Sequence, residues 1–183
     1  MKLPKIKILD EKNKLLRTKS IEVTFPLPSE DKKLINDLIT YLKMSQNEEI
    51  AEKYDLRAGM GMAFIQVGVP KRIFVIASEI DDDTFIEYAI INPKIISTSK
   101  ELVYVAEGEG CLSVDRDVEG IVPRHARITI EYQDLDGNKK EIRVREDIAI
   151  AFQHEIDHLN GILFVDKIDK KDPYKNMENM REI

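Results

Sequence analysis

The chain has 183 residues, of which 43% are hydrophobic and 34% charged, and its formal net charge is −6. This length fits one well-buried domain, and the composition is typical of a globular protein. The acidic balance argues against a nucleic-acid surface, and no apolar run approaches membrane-spanning length. Because the N-terminus lacks a signal-peptide core and Cys111 is the single cysteine, we expect a cytoplasmic protein without an internal disulfide.

The N-terminal part of the chain predicts two helices. Residues 1–28 are expected to be irregular apart from a short strand over 5–9. Ser29 is a good N-cap, and apolar residues at helical spacing follow it to about Met44. A second, short helix is expected around Ile50.

The middle of the chain predicts strands. The expected segments are 72–77, 89–92, 94–97, 102–106, 126–132, 139–144 and 162–168, with turns at 81–83 and 134–137. The charged tail from 169 is expected to be solvated and flexible. The pattern favours an α+β fold, with antiparallel β-sheets around a central helix and one domain over residues 1–183.

One stretch near the C-terminal end carries the chemistry. Residues 149–161 have the apolar spacing of a helix and end in a stop signal. His154 and His158 are four residues apart, so they lie one turn apart on one face and can bind one metal ion. Glu155 can reach a water at that metal without being a ligand. This H-E-x-x-H arrangement indicates metal-assisted hydrolysis, although a surface helix with solvated histidines is a competing interpretation.

A catalytic metal site needs a third protein ligand and an open position. Cys111 is the first candidate, because the glycines before it let the backbone fold closely around an ion. Glu107 and Glu109 rank second. The alternative for Cys111 is an inert core residue. Farther upstream, Gly59 and Gly61 predict either a tight turn or a close backbone approach to a ligand.

Three segments together resemble the motifs of the peptide deformylase family, and most nearly its type II branch. They are Gly-Met-Gly-Met-Ala-Phe-Ile-Gln at 59–66, Glu-Gly-Cys-Leu-Ser at 109–113 and Gln-His-Glu-Ile-Asp-His at 153–158. The resemblance extends to about Ile168. In the first motif Phe64 and Ile65 replace the Ala and Pro of the family pattern. We expect them to alter loop shape and pocket width rather than chemistry.

The resemblance implies a metal-dependent hydrolase that removes the formyl group from N-formyl-methionyl nascent peptides and releases formate. It implies one Fe(II) per chain, replaceable by nickel, cobalt or zinc, on three ligands: Cys111, His154 and His158. Glu155 would transfer the proton. Gln66 and the Leu112 backbone N–H would stabilise the oxyanion.

The same resemblance places the substrate. Its backbone would pair as an added strand with three glycines: Gly59, Gly61 and Gly110. Ile150 and Ala151 share a helix face with His154, so they are candidates for an apolar side-chain pocket, or simply core. The ribosome is a further candidate partner, although the aspartates among the tail lysines favour a solvated tail. No membrane or direct nucleic-acid site is expected.

Two other functions remain open from the sequence. One is an H-E-x-x-H metallopeptidase that cuts internal peptide bonds, but no histidine follows His158 to complete such a site. The other is an inactive metal-binding homologue, which the unusual Phe64 and Ile65 keep open.

Overall fold

The computed structural model describes residues 2–81 and 84–183. Its helices are α1 (Ser29–Gln46), α2 (Glu48–Tyr54) and α3 (Glu146–Leu159). Its strands are β1 (Gly61–Ala63), β2 (Ile73–Asp81), β3 (Thr84–Thr98), β4 (Leu102–Tyr104), β5 (Arg124–His125), β6 (Arg127–Gln133), β7 (Lys139–Arg145) and β8 (Arg181–Glu182). Within the described part of the chain, no helix is both long and apolar enough to cross a membrane.

Two sheets surround α3. The larger is antiparallel with strand order β1-β2-β3-β6-β7, and the smaller has the order β5-β4-β8 with β4 and β8 parallel. Phe152 of α3 meets Phe74 of β2 edge-on, with 5.2 Å between ring centroids. On the other side Ile150 packs with Val103 of β4. The predicted α+β arrangement around a central helix is confirmed.

The larger sheet is buried on both faces where it supports the site. Phe74 and Ile76 belong to the hydrophobic cluster on the α3 side. Val75 and Ala77 belong to the cluster that contains Leu38 of α1. Successive side chains of a strand point to opposite faces, so both faces of β2 must be apolar. This explains the uninterrupted apolar run at the start of β2.

Several element boundaries differ from the prediction. Ser29 is the first residue of α1 rather than its N-cap, and Pro28 precedes it without a side-chain cap. The two strand segments predicted around Pro93 are one strand, because the pairing with β6 shifts between Ile91 and Lys94. A proline is tolerated at such an irregularity, where no ladder hydrogen bond is lost.

Three other predictions also need correction. Residues 5–9 form no strand. Residues 162–168 contain a 3-10 helix, Phe164–Asp166, instead of a strand. Of the turn predicted at 81–83, Asp81 belongs to β2 instead, and Asp82 and Asp83 lie outside the described residues. Within the charged tail, β8 pairs with β4.

Candidate active site

Helix α3 carries the H-E-x-x-H segment, as predicted, and begins three residues earlier than expected. Glu155 is 3% exposed and His158 is 1% exposed. The interpretation as a solvated surface helix is therefore wrong. A buried imidazole needs a partner, and for both histidines a partner comes from the loop after β4.

The structure brings Cys111 to the two histidines. The ligand atoms of Cys111, His154 and His158 all lie within 4.8 Å of one another. Nε2 of His158 is 3.3 Å from the Cys111 Sγ. In the part of the chain that the structure describes, no other trio of His, Cys, Asp or Glu residues converges in this way. One thiolate and two imidazoles match the ligand set of a catalytic metal site with an open fourth position.

Glu109 lies behind this cluster instead of joining it. Its Oε2 is 2.9 Å from Nδ1 of His154, so that nitrogen donates to it. Arg124, itself 2% exposed, donates to both oxygens of Glu109 at 2.6 and 2.9 Å and to Asp157 at 2.6 Å. Glu109 and Arg124 thus form a buried ion pair. With its Nδ1–H engaged, His154 keeps Nε2 free for a metal.

The buried charges have shifted pKa values. Burial alone would raise the pKa of Glu109, but hydrogen bonds from Arg124 and His154 outweigh it and hold that pKa at about 2. Burial raises the pKa of Glu155 to about 7, which suits a group that must both accept and donate a proton. Burial also lowers the pKa of His158 well below its ordinary value. The imidazole is then neutral, as metal binding requires.

Glu109→Gln tests the buried ion pair. Above about pH 4.5 the substitution should lower the free energy of unfolding by about 3 kcal/mol, because the folded state holds this carboxyl at a pKa of about 2 instead of 4.5. A lowered pKa contributes stability above the unfolded value and loses it as the pH falls. The difference in the free energy of unfolding between wild type and variant should therefore decrease as the pH falls from 4.5 towards 2.

Denaturant titrations across this pH range, with chelator in every sample, measure the effect. Glu107→Gln is the matched control, since Glu107 is exposed in the same loop and should change stability little. If the difference in the free energy of unfolding between wild type and Glu109→Gln stays constant with pH, the lowered pKa of Glu109 is contradicted.

The glycines of the first motif allow close packing between the motifs. A Cβ at Gly61 would lie 2.5 Å from Oε1 of Glu155 and 2.7 Å from Cδ1 of Ile76. A Cβ at Gly59 would lie 2.8 Å from Cδ1 of Leu112. Gly110 has no heavy atom within 4 Å of such a position. Gly61 therefore makes room for the carboxylate of α3, whereas Gly110 has no comparable steric need.

Helix α1 holds the backbone of Gly59. The Gly59 carbonyl accepts a hydrogen bond from Nε2 of Gln46 at 2.9 Å, and its N–H donates to Oγ of Ser45 at 3.3 Å. Both main-chain groups are thus engaged within the protein, so pairing of Gly59 with a substrate would have to displace them. Gly61 lies on β1, which is an edge strand of the larger sheet. The sequence reasoning missed Ser45 and Gln46 because nothing distinguishes them from ordinary helix-end polar residues.

Gln66 and Leu112 flank the cluster. Gln66 is 1% exposed, and its Oε1 accepts the Ala63 N–H at 2.8 Å. Its Nε2 is therefore directed towards the cluster, 3.1 Å from the Ser113 Oγ and 3.6 Å from the Cys111 Sγ. Among the described residues, none accepts a hydrogen bond from the Leu112 N–H. Both predicted donors are thus beside the cluster.

A cleft of about 400 Å³ opens over this cluster. It is lined by ten of the predicted residues: Gly59, Gly61, Gln66, Gly110, Cys111, Leu112, Ile150, Ala151, His154 and Glu155. His158 is not part of the lining and completes the cluster from its buried side. The sequence reasoning missed Met60, Val105 and Asp147, which also line the cleft.

The family model described as polypeptide deformylase matches residues 5–174. The chain belongs to the polypeptide deformylase family. It is similar to peptide deformylase of Ligilactobacillus salivarius (strain UCC118), with 52% identity over 169 residues and 91% of each chain covered. It is also similar to peptide deformylase of Oceanobacillus iheyensis, with 49% identity over 176 residues and 96% of each chain covered.

Solved structures of the family have the same fold. The Thermotoga maritima peptide deformylase matches with a TM-score of 0.70 and 32% identity, covering 90% of this chain and 97% of that one. The plant peptide deformylase PDF1B matches with a TM-score of 0.76 and 26% identity, covering 98% and 89%. The predicted family is confirmed, and with it the reaction: hydrolysis of the formyl group of N-formyl-methionyl polypeptides. Membership of the type II branch stays a prediction.

Arg57 is a further residue of the deformylase cleft that the sequence did not single out. Its guanidinium donates to the carbonyls of Cys111 and Val114, both at 2.9 Å, and to Asp115 at 3.2 Å. It therefore ties the segment before Gly59 to the cysteine loop. The only signal in the sequence was a basic residue just before the glycines.

Phe64 and Ile65, where the chain departs from the family pattern, are core residues. Both are 0% exposed, and they belong to the clusters on opposite faces of the larger sheet. Neither lines the cleft. Their side chains are therefore core residues rather than cleft surface, and an effect on the width of the pocket stays a prediction.

Phe64→Ala should lower the free energy of unfolding by about 3–5 kcal/mol, because it removes a fully buried ring and leaves a cavity. Activity per folded molecule should stay close to that of the wild type. Denaturant titration measures the free energy of unfolding. Formate release per folded molecule measures the activity. Tyr54→Ala is the control, since Tyr54 is 42% exposed and should cost about 0.5 kcal/mol or less. Equal costs for the two variants would show that Phe64 does not support the core.

Proposed function

We propose that the cleft binds the formyl-methionine end of a newly made polypeptide and that four residues carry out the hydrolysis: Cys111, His154, His158 and Glu155. The single observation that supports this most strongly is the convergence of a thiol and two imidazoles beside a buried carboxylate, directly under an open cleft. We take residues 1–183 to be one catalytic domain, since the family match covers 5–174.

The three ligands fit a divalent metal. Their donor atoms are close together, His154 keeps Nε2 free, and burial keeps His158 neutral. Fe(II) is the proposed ion, with nickel, cobalt or zinc as alternatives, because thiolate and imidazole donors suit each of them. When bound, the ion acts as a Lewis acid that polarises the formyl carbonyl and lowers the pKa of a water.

Glu155 moves the proton. Its Oε2 is buried and has no hydrogen-bond partner among the described residues, so it is available to a reacting water. It accepts the proton of the water that attacks the formyl carbon, and it delivers that proton to the nitrogen of the leaving amine. The formyl C–N bond then breaks, and the products are formate and a free N-terminal methionine.

Gln66 and Leu112 stabilise the negative charge that develops on the formyl oxygen. The Leu112 N–H has no acceptor within the described chain, and Nε2 of Gln66 is fixed towards the cluster. Donation from Gln66 to an oxyanion would replace its long 3.6 Å contact with Cys111. Donors fixed before the reaction need little reorganisation when the charge appears.

The substrate lies along β1. This strand pairs with β2 on one side and is open on the other, so an extended peptide can add to it next to Gly61 and Gly110. Ile150 and Ala151 form an apolar wall for the methionine side chain. The exposed Gly110 leaves the opposite side of the cleft free for a peptide backbone.

The natural substrates are nascent chains, so we propose that the protein acts in the cytoplasm, where these chains leave the ribosome. The tail lysines give no support to docking there through the tail. Lys167 pairs with Asp157 at 3.2 Å, and Lys175 pairs with Asp169 at 2.7 Å.

Formate release from a formyl-methionyl tripeptide by the metal-loaded protein tests the proposed function. We expect formate and the free tripeptide in equal amounts, and no release from the acetyl-methionyl tripeptide used as the control. Cleavage of an internal bond would favour the metallopeptidase. Bound metal without any reaction would favour the inactive homologue.

A further inference from the structure

The last residues of the chain complete the smaller sheet. Arg181 and Glu182 form β8, which pairs in parallel with Val103 and Tyr104 of β4. The Ile183 N–H donates to the Tyr104 carbonyl at 3.0 Å. This short strand therefore lies directly beside the strand that leads into the cysteine loop.

Arg181 joins two elements that form the cleft. Its Nε is 2.9 Å from Oε1 of Glu101, immediately before β4. Its NH2 is 2.9 Å from Oε1 of Glu146, the first residue of α3. Glu146 has a φ of 54°, which is unusual for a residue other than glycine. The guanidinium thus bridges the first residue of α3 and the residue before β4.

Ile183 packs behind the apolar wall of the cleft. It joins a small hydrophobic cluster with Val103, Ala126 and Ile150, to which Val105 also belongs. Ile150 and Val105 line the cleft, whereas Ile183 does not. Val105 and Ile150 therefore border the cleft on one side and belong to the cluster of Ile183 on the other.

We propose that Arg181 and Ile183 are positioning residues that fix the wall formed by Val105 and Ile150, and so determine how well the cleft selects a methionine side chain. This inference rests on the proposed function, in which Ile150 contacts the methionine side chain. Selection between apolar side chains depends on close packing in the pocket. If Ile183 no longer packs against Val105 and Ile150, these two side chains can shift. The pocket then loses more contact with a long substrate side chain than with a short one.

The test compares two substrates on the metal-loaded, full-length protein. Formyl-methionyl and formyl-alanyl tripeptides are assayed with wild type and Ile183→Ala. For the variant we expect KM for the methionyl substrate to rise about tenfold, and the methionyl-to-alanyl ratio of kcat/KM to fall by a similar factor. The kcat for the methionyl substrate and the metal content should change little, because no group that touches the reacting atoms is altered.

Ile183→Val should restore most of the selectivity, since it keeps a branched side chain of similar size. Met177→Ala is the matched control in the same tail, because Met177 is 40% exposed and lies outside the Ile183 cluster. Arg181→Gln should also lower the methionyl-to-alanyl ratio of kcat/KM, because it removes the contact with Glu146 at the start of α3. If Ile183→Ala does not fold, the methionyl-to-alanyl ratio of Arg181→Gln, which keeps Ile183, still decides the matter.

An unchanged methionyl-to-alanyl ratio in folded Ile183→Ala would overturn the inference, as would an unchanged ratio in Arg181→Gln if Ile183→Ala does not fold. A loss of activity that is equal for both substrates would also overturn it, because this is what a merely structural role predicts. Neither result affects the proposed function, which fails only if the wild type releases no formate.

Discussion

Glu155→Gln should keep its metal and lose the reaction. Glutamine has nearly the same shape as glutamate and still hydrogen-bonds, so the fold and the three ligands should remain. It cannot accept a proton from water or pass one to the leaving amine. General acid–base catalysis of this kind contributes about 10²–10⁴ in rate, and turnover should fall by at least that factor.

Formate release and metal content, measured on the same preparations, provide the test. Glu107→Gln makes the same chemical change at an exposed position outside the cleft lining and should react normally. Near-normal turnover by fully loaded Glu155→Gln would mean that another group handles the proton. A large loss of metal would mean that Glu155 helps to hold the ion.

Cys111→Ala should lose most of its metal. Removing one of three protein ligands should weaken binding by more than the 10–100-fold that removal of an outer-shell partner typically costs. Elemental analysis after dialysis against a weak chelator measures the effect, and activity should fall with the metal content.

Ser113→Ala is the control for the cysteine loop, since it alters the neighbouring hydrogen bond to Gln66 without removing a ligand. Full metal retention and activity in Cys111→Ala would exclude the thiolate as a ligand. Glu109 or Glu107 would then be the third ligand, and for Glu109 this would require breaking its pair with Arg124.

The metal cluster was predictable because its parts leave local signals. His154 and His158 have helical spacing around Glu155, and a single cysteine among glycines suggested the third ligand. The helix of residues 29–44 was equally clear from its apolar period. In each case the signal lies within a few neighbouring residues. It could therefore be recognised without knowing which distant segments pack against them.

The parts that were missed depend on contacts between distant segments. Pro93 argued for two strands, but the irregular pairing with β6 accommodates it within one. Phe64 and Ile65 looked like loop residues because the neighbouring glycines suggested a turn, and burial on both faces of the sheet places them in the core. The strand at Arg181–Glu182 has no apolar pattern and exists because β4 offers it an edge.

The contacts of Glu109 likewise could not be predicted from the sequence around it. A glutamate two positions before the cysteine was a reasonable alternative ligand on sequence grounds. Its actual contacts, with His154 and Arg124, come from α3 and β5. Only the packing of these elements shows that it hydrogen-bonds to His154 and lies outside the Cys111–His154–His158 cluster.

The close approach of Gly61 to Glu155 has an evolutionary consequence. The two residues belong to motifs far apart in the chain, yet a single added methyl group at Gly61 would come within 2.5 Å of the Glu155 carboxylate. The fitness effect of a change at either position therefore depends on the other. Shortening Glu155 to aspartate would relieve the contact with an alanine at 61, but it would also withdraw the carboxylate from the reacting water. Substitutions at the two positions are therefore expected to be coupled, because the change at Glu155 that restores the fit also shortens its reach.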